Sequence, residues 1–129
     1  MNSNQEPIVL CLMGPTASGK TALAEYVSSN MSVDIISVDS ALVYRGMNIG
    51  TAKPSLAELR KTPHKMIDIK DPAEPFSVGE FCQLAKEHMN QTLSSGRVPF
   101  LVGGTMLYFD SLLYGSATLP PASEQVRQT

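Results

Sequence analysis

The stretch from Gly14 to Thr21 constrains this chain more than any other part of its sequence. It fits the pattern G-x-x-x-x-G-K-[ST] at every fixed position, and its residues are Gly14, Pro15, Thr16, Ala17, Ser18, Gly19, Lys20 and Thr21. Glycines at the fixed positions let the backbone turn so that consecutive N–H groups converge on one anion. Lys20 adds a positive charge, and the Thr21 hydroxyl is suited to Mg²⁺ held by the same phosphates. The stretch therefore predicts a P-loop that binds a phosphorylated ligand.

The residues on either side of this loop have the order that a P-loop requires. Ile8–Met13 is a continuous apolar run, which is typical of a strand buried on both faces. Thr21–Val27 can form a helix, whose positive end would point at the bound anion. The order strand, loop, helix separates this match from a chance glycine turn with a lysine.

The remainder of the chain alternates strands with helices. We predict a strand at 33–38, a short helix at 56–61 after the N-cap Ser55, a short strand at 65–69, a long helix from the Ser77–Glu80 capping box to about 95, a strand at 99–102 and a helix at 106–114. No hairpin turn signal occurs, and the buried strands lack polar alternation. The fold class is therefore α/β, a P-loop NTPase-like parallel sheet with helices on both faces, truncated before its second half. Ligands of such sheets bind at the carboxyl ends of the strands, where Gly14–Thr21, Asp39–Leu42 and Gly103–Thr105 would converge.

Length and composition fit one domain. The chain has 129 residues, of which 43% are hydrophobic, and this content can build a core. We expect residues 1–6 to be a disordered start, 7–116 to form the P-loop α/β core that binds the donor, and 117–129 to be a linker-like tail toward a missing insertion or C-terminal part.

Cysteine and histidine positions favour structural roles. Cys11 and Cys82 show no metal-ligand spacing and are interpreted as core thiols of a reducing compartment. The sequence has no signal peptide and no apolar run long enough for a bilayer, so we expect a cytoplasmic protein.

His88 lies on the apolar face of the long helix, where a partly buried, hydrogen-bonded histidine is expected.

Charge is unevenly distributed along the chain. The net charge is −2, which gives no global basic field for nucleic acid. From Asp39 to Lys65, however, five basic residues stand against two acidic ones. This stretch indicates either a surface for a polyanionic substrate or a solvated loop and helix face, and charge alone does not separate the two.

Several blocks together resemble the bacterial tRNA dimethylallyltransferase family, also called tRNA isopentenyltransferases. They cover nearly all of residues 8–114, and they are Gly14–Thr21, Asp39–Met47, Gly50–Pro54, Pro63–His64 with Ile67–Ile69, and Gly103–Tyr108. Two departures stand out. Lys65 follows His64 where the family usually has a second histidine, and family members are more than twice as long, so we expect an amino-terminal piece.

The resemblance implies a reaction and a set of site residues. The family transfers a dimethylallyl group from dimethylallyl diphosphate to N6 of an adenine at position 37 of tRNA, next to the anticodon, giving N6-isopentenyladenosine. The P-loop with Mg²⁺ on Thr21 would hold the diphosphate, and the implied catalytic residues are Asp39, Lys20 and Thr16. The positions implied to contact tRNA are Asp39, Ser40, Ala41, Leu42 and Thr105. We expect a monomer, and we expect this fragment alone to be inactive.

Asp39 has two possible roles that spacing does not separate. As the family's general base it would take the N6 proton, and as a Walker-B-like acid it would hold Mg²⁺ through water. The function of the protein as a whole also has open alternatives. They are a P-loop kinase that uses ATP on a small metabolite, prenyl transfer to a free adenine nucleotide, and a phosphate-binding half-domain without activity.

Overall fold

The computed structural model of the chain describes residues 8–14, 20–46 and 54–115. These residues form, in order, β1 (Leu10–Met13), α1 (Lys20–Asn30), β2 (Val33–Val38), α2 (Leu56–Lys61), β3 (His64–Lys65), α3 (Val78–Ser94), β4 (Val98–Gly103) and α4 (Met106–Leu113). Strands and helices alternate throughout the described residues, as predicted.

The strands form one parallel sheet in the order β1-β4-β2-β3. Because β4 lies between β1 and β2, Met13 and Val38 are both register partners of Gly103 at the carboxyl end of the sheet. The loops that leave β1, β2 and β4 therefore start side by side. The predicted parallel α/β class is confirmed.

The sheet is covered on both faces, which explains its continuous apolar strands. Alternate residues of β1 enter different clusters, since Cys11 packs with α3 and α4 whereas Leu12 packs with Ala24 of α1. A strand that is buried on both faces has no polar side, so its sequence shows no alternation. Helices on both faces of the sheet are confirmed.

The helix starts follow their capping signals. Ser55 and Ser77 each accept a hydrogen bond from the backbone N–H three residues on, and Glu58 and Glu80 reciprocate, so α2 and α3 both begin with a capping box. The predicted bounds of β2 and α2 match the structure, β4 extends one residue further at each end, and α4 ends one residue earlier.

The predicted strand at 65–69 is largely wrong, because β3 covers only His64–Lys65. Met66 has a φ of 73° and Asp68 a φ of 58°, and both values lie in the left-handed region. A residue in that region cannot continue a strand, so pairing with β2 stops after Lys65. The predicted disordered start at 1–6 and the tail at 117–129 lie outside the described residues.

His88 differs from the expectation. It is half-buried on α3, but its Nδ1 is fully buried and has no hydrogen-bond partner among the described residues. Burial, and then the positive charge of Lys65, lower the pKa of His88, against a smaller opposing effect of Glu87. The predicted partial burial of His88 is confirmed, whereas the predicted hydrogen bond is not found at Nδ1 within the described residues.

The two cysteines lie in the core as predicted, with Cys11 at 0% and Cys82 at 9% exposure. Burial raises the pKa of the Cys82 thiol, while nearby Lys86 acts in the opposite direction. Across residues 8–14, 20–46 and 54–115 we find no helix with the length and apolarity that a bilayer span requires.

Candidate active site at the carboxyl edge of the sheet

The two ends of the predicted P-loop are held together at the carboxyl edge. The Gly14 N–H donates to the carbonyl of Gly103 (3.2 Å), and Lys20 Nζ donates to the carbonyl of Gly14 (2.7 Å). A Cβ on Gly104 would lie 2.8 Å from the Gly14 oxygen, so the sequence needs glycine at 104 for this approach. Gly14, Lys20 and the start of α1 therefore lie where a P-loop requires them.

Part of the predicted loop cannot be placed. Pro15, Thr16, Ala17, Ser18 and Gly19 lie outside the described residues, and of Thr21 only the backbone, within α1, is described. Their roles in binding diphosphate and Mg²⁺ stay predictions.

Asp39 directly follows β2 and presents one carboxylate oxygen to the edge. Its Oδ1 accepts hydrogen bonds from the N–H groups of Ala41 (2.9 Å) and Leu42 (3.2 Å). Among the described residues, both hydrogen bonds to this carboxylate go to Oδ1. The side chain is thus fixed by the loop that follows it, and Oδ2 accepts no hydrogen bond from residues 8–14, 20–46 or 54–115.

Thr105 links the loop after β4 to the loop after β2. Its Oγ1 accepts a hydrogen bond from the Ser40 N–H (2.9 Å) and lies 3.4 Å from Ser40 Oγ, and its own N–H donates to the carbonyl of Val38 (3.3 Å). All five residues implied to contact tRNA, Asp39 to Leu42 and Thr105, are therefore brought together in one cluster.

Buried charge distinguishes this edge from the remaining described surface. Among the described residues, Lys20 (8% exposed) and Asp39 (7% exposed) are the only charged residues that are buried. Burial lowers the pKa of Lys20, and the negative charge of Asp39 partly opposes this effect. Lys20 and Asp39 thus interact electrostatically at this edge. The ammonium group is suited to bind an anionic group, and the carboxylate is suited to accept a proton.

Sequence reasoning missed Tyr108. Its ring is 5% exposed and stacks on Phe81, with centroids 4.1 Å apart and an interplanar angle of 18°. Burial raises its pKa most, followed by the influence of Tyr44, Asp39 and Cys82, so the hydroxyl lies within the electrostatic reach of the site. The only signal in the sequence was its place at the end of the Gly103–Tyr108 block.

Charged loop residues nearby are mostly solvated. Arg45 forms a long ion pair with Asp71 (3.9 Å), and both side chains are more than half exposed. Such a surface pair adds little stability. Lys53, another basic residue of the stretch between Asp39 and Lys65, lies outside the described residues.

These features define a class of protein: a parallel α/β protein with a buried lysine and a buried carboxylate at the carboxyl edge of its sheet. The IPP transferase family profile matches residues 42–129, which is most of the chain. The chain belongs to the IPP transferase family.

Relatives of known name agree with this assignment. The chain is 55% identical over 121 residues to proteins named tRNA dimethylallyltransferase from the Corby and Paris strains of Legionella pneumophila. That match covers 94% of this chain but 39% of each relative, so the chain spans about two fifths of their length.

Solved structures show the same fold. The tRNA isopentenylpyrophosphate transferase of Staphylococcus epidermidis superposes with a TM-score of 0.81 at 45% identity, over 88% of this chain and 38% of that one. The enzyme of Bacillus halodurans gives 0.81 at 42% identity, again over 88% and 38%. A eukaryotic dimethylallyltransferase described as acting on tRNA gives 0.80 at 26% identity, over 87% of this chain and 28% of that one.

Proposed function

We propose that the full-length enzyme, meaning a protein of its relatives' length that carries this sequence, transfers a dimethylallyl group from dimethylallyl diphosphate to N6 of an adenine in tRNA. The adenine would be the one at position 37, next to the anticodon. The observation that carries the proposal is the buried pair Lys20 and Asp39 at one edge, in a chain of the IPP transferase family. Burying two charges is costly, and an edge that binds an anion and moves a proton has a use for both.

The diphosphate belongs on the Lys20 side of the edge. When the carbon–oxygen bond of the donor breaks, negative charge develops on the departing diphosphate. Lys20 Nζ is already directed at the Gly14 carbonyl, so it lies next to the entrance of the loop that would hold this group. The buried ammonium meets the growing charge with little competing water, which favours the departure of the leaving group.

Mg²⁺ fits this site only together with the substrate. Within the described residues no group of three or more His, Cys, Asp or Glu side chains could hold a metal ion, so the donor oxygens would come largely from the diphosphate. In proteins Mg²⁺ usually binds through substrate phosphates and one or two protein oxygens, which agrees with this arrangement. The Thr21 hydroxyl is the protein ligand that the sequence predicts, and a bound ion would neutralise diphosphate charge.

Asp39 is the residue suited to take the proton from N6. The amino group of adenine is a weak nucleophile because its lone pair is delocalised, so a base that removes the proton as the new bond forms accelerates transfer by roughly 10²–10⁴-fold. The two N–H groups on Oδ1 fix the carboxylate, and Oδ2, which accepts no hydrogen bond within the described part of the chain, would take this proton. The same arrangement leaves fewer oxygens for a metal, which favours the base role over the Walker-B-like one.

The tRNA would reach the edge over the loop that follows Asp39. Ser40 and Thr105 are joined by hydrogen bonds, so both would present polar groups to the anticodon loop. An adenine in such a loop can leave its stack at small cost and enter the site. The basic residues between Asp39 and Lys65 then lie on the part of the chain that follows the acceptor loop.

A transfer assay with labelled dimethylallyl diphosphate tests the proposal. The acceptors are tRNA, AMP and none, and the proteins are the full-length enzyme and the 129-residue chain. We expect label in tRNA with the full-length enzyme alone. Label in AMP and not in tRNA would favour transfer to free nucleotides, and calorimetric binding of ATP that is tighter than that of diphosphate would favour a kinase.

A further inference from the structure

The segment that follows β3 runs alongside the loop that carries Asp39. The N–H of Asp68 donates to the carbonyl of Leu42 (3.0 Å), and the N–H of Ile69 donates to that of Val43 (2.8 Å). In return, the N–H of Arg45 donates to the carbonyl of Lys70 (2.8 Å). The loop after Asp39 is therefore held along its outer side by residues 68–70.

This segment adopts a backbone conformation that its sequence disfavours. Met66 (φ 73°) and Asp68 (φ 58°) are both left-handed, although neither is glycine. For Met66 this conformation costs roughly 1–2 kcal/mol, whereas aspartate, like asparagine, enters the region more readily because its short polar side chain can hydrogen-bond locally. Met66 is 2% exposed and packs in the core cluster beneath α3 and α4, so tertiary packing holds the strained backbone in place. Strain of this kind persists only where the surroundings impose it, and it is concentrated at functional sites.

Leu42 connects the strained segment to the carboxylate. Its N–H donates to Oδ1 of Asp39, while its carbonyl accepts the N–H of Asp68. Residue 42 is thus tied on one side to Asp39 and on the other to Asp68. If residue 68 left the left-handed region, its N–H would turn away from Leu42 and the loop would lose this outer support.

We infer that Asp68 is a positioning residue for the reaction: its left-handed backbone, acting through Leu42, fixes the orientation of the Asp39 carboxylate. This inference rests on the proposed function, since it assigns Asp68 a task only if Asp39 acts on the acceptor. It concerns the backbone of Asp68, whatever its side chain contacts.

A matched pair of variants isolates the backbone. Asp68→Gly and Asp68→Ala both delete the side chain, but only alanine resists a φ of 58°. In the full-length enzyme we expect kcat per binding site to be about tenfold lower for Asp68→Ala than for Asp68→Gly. This corresponds to an activation free energy that is about 1.4 kcal/mol higher. KM for dimethylallyl diphosphate should be the same in both. The number of sites is counted from the calorimetric stoichiometry of diphosphate binding, so loss of folded protein does not register as a lower kcat.

Two further variants keep the test decisive. Asp68→Asn should retain wild-type kcat per site, because asparagine tolerates the left-handed region, and this holds even if Asp68→Ala does not fold. Gly96→Ala places a left-handed alanine at a φ of 78° in open space just after α3, and it should lower stability without lowering kcat per site.

The outcomes separate the inference from the proposed function. Equal kcat in Asp68→Gly and Asp68→Ala, a large loss in Asp68→Asn, or an equal loss in Gly96→Ala would each overturn the positioning role. Asp39→Asn, assayed alongside, reports on the proposed function by itself. If Asp39→Asn kept full activity, both the base role of Asp39 and the positioning role of Asp68 would be refuted. If Asp39→Asn were inactive while Asp68→Gly and Asp68→Ala had equal kcat, only the positioning role would be refuted.

Discussion

Lys20 and Asp39 show how single residues can reveal a site when their surroundings are known. Both are more than nine-tenths buried, and each has a hydrogen bond that fixes its position: to the Gly14 carbonyl for Lys20, and from two N–H groups for Asp39. Burying a charged group is costly, so two buried charged residues at a ligand-binding edge are candidates for function. The sequence had singled out both residues, one from a motif and the other from a family block, but it gave no measure of their burial.

Lys20→Ala should impair the handling of diphosphate whatever the acceptor. Lys20 Nζ lies 2.7 Å from the Gly14 carbonyl at the start of the loop, and it would meet more negative charge as the leaving group departs. In the full-length enzyme we expect kcat/KM for transfer to fall by roughly 10²-fold or more. Lys61→Ala, which removes a positive charge from the exposed end of α2, is the control and should leave diphosphate affinity unchanged. Near-normal turnover of Lys20→Ala would place the reaction elsewhere.

His88→Leu should stabilise the protein and flatten part of its response to pH. Because the pKa of His88 is lowered in the folded state, the unfolded chain binds the proton more readily, and the free energy of unfolding falls as pH drops below about 6.5. Leucine removes this loss as well as the unpartnered Nδ1, so we expect a gain of about 1 kcal/mol at pH 7. Urea unfolding at pH 7.5 and 5.5 measures both effects.

Some pH dependence should survive that substitution. His64 also has a lowered pKa, chiefly through burial, although the Thr62 carbonyl (2.7 Å from Nδ1), Glu25 and Glu58 act against it. Between pH 7.5 and pH 5.5 the free energy of unfolding of His88→Leu should therefore fall less than that of the wild type, but it should still fall. A less stable variant at pH 7.5, or an unchanged pH response, would contradict this reading of His88.

At the scale of elements, the close approach of β2 and β4 builds the site. A Cβ on Gly103 would lie 1.9 Å from the carbonyl oxygen of Val38, the residue before Asp39. The same glycine accepts the N–H of Gly14 through its carbonyl. Glycine at 103 thus allows the ends of β1, β2 and β4 to meet, which brings the loops of Lys20, Asp39 and Thr105 within reach of one substrate.

Gly103→Ala should therefore damage both the sheet and the site. The methyl group meets backbone rather than a movable side chain, so the strands must separate, and we expect a loss of about 3 kcal/mol or more in the free energy of unfolding. Gly79→Ala is the matched control, because its new methyl would have only Ser77 Oγ at 3.8 Å nearby and a helical alanine is favourable. Thermal unfolding compares the two, and equal melting temperatures would show that β4 can shift without cost.

Much of the fold could be predicted from local signals, and the failures have one cause. The capping boxes set the starts of α2 and α3, and the apolar run 33–38 set β2, because each signal is contained in neighbouring residues. The segment after β3, predicted as part of a strand at 65–69, leaves the sheet after Lys65. Its left-handed backbone is imposed by packing and by hydrogen bonds to Leu42 and Val43, which no local pattern encodes.

For the whole molecule, the identity of the site residues was easier to predict than their arrangement. The family blocks gave Asp39–Leu42 and Thr105, and the structure joins them through hydrogen bonds across 65 positions of sequence. The tie between Asp39 and Asp68, and the place of Tyr108 over Phe81, depend on tertiary contacts and were not predicted. Because the chain spans 39% of its curated relatives' length, activity should be measured in the full-length enzyme.

Asp39→Asn tests the central claim most directly. Asparagine keeps the shape, and its Oδ1 can still accept the N–H groups of Ala41 and Leu42, so the loop is preserved. What changes is Oδ2, which becomes an amide nitrogen that cannot take a proton. Asp110→Asn, at an exposed position on α4, removes the same charge from the chain and serves as the control.

The measurement is kcat for transfer to tRNA together with calorimetric affinity for diphosphate, in the full-length enzyme with Mg²⁺. We expect kcat of Asp39→Asn to fall by about 10²–10⁴-fold while diphosphate affinity stays within about twofold, and Asp110→Asn to match wild type. The opposite result, weaker diphosphate binding with activity that added Mg²⁺ restores, would show that Asp39 organises the metal and does not take the N6 proton.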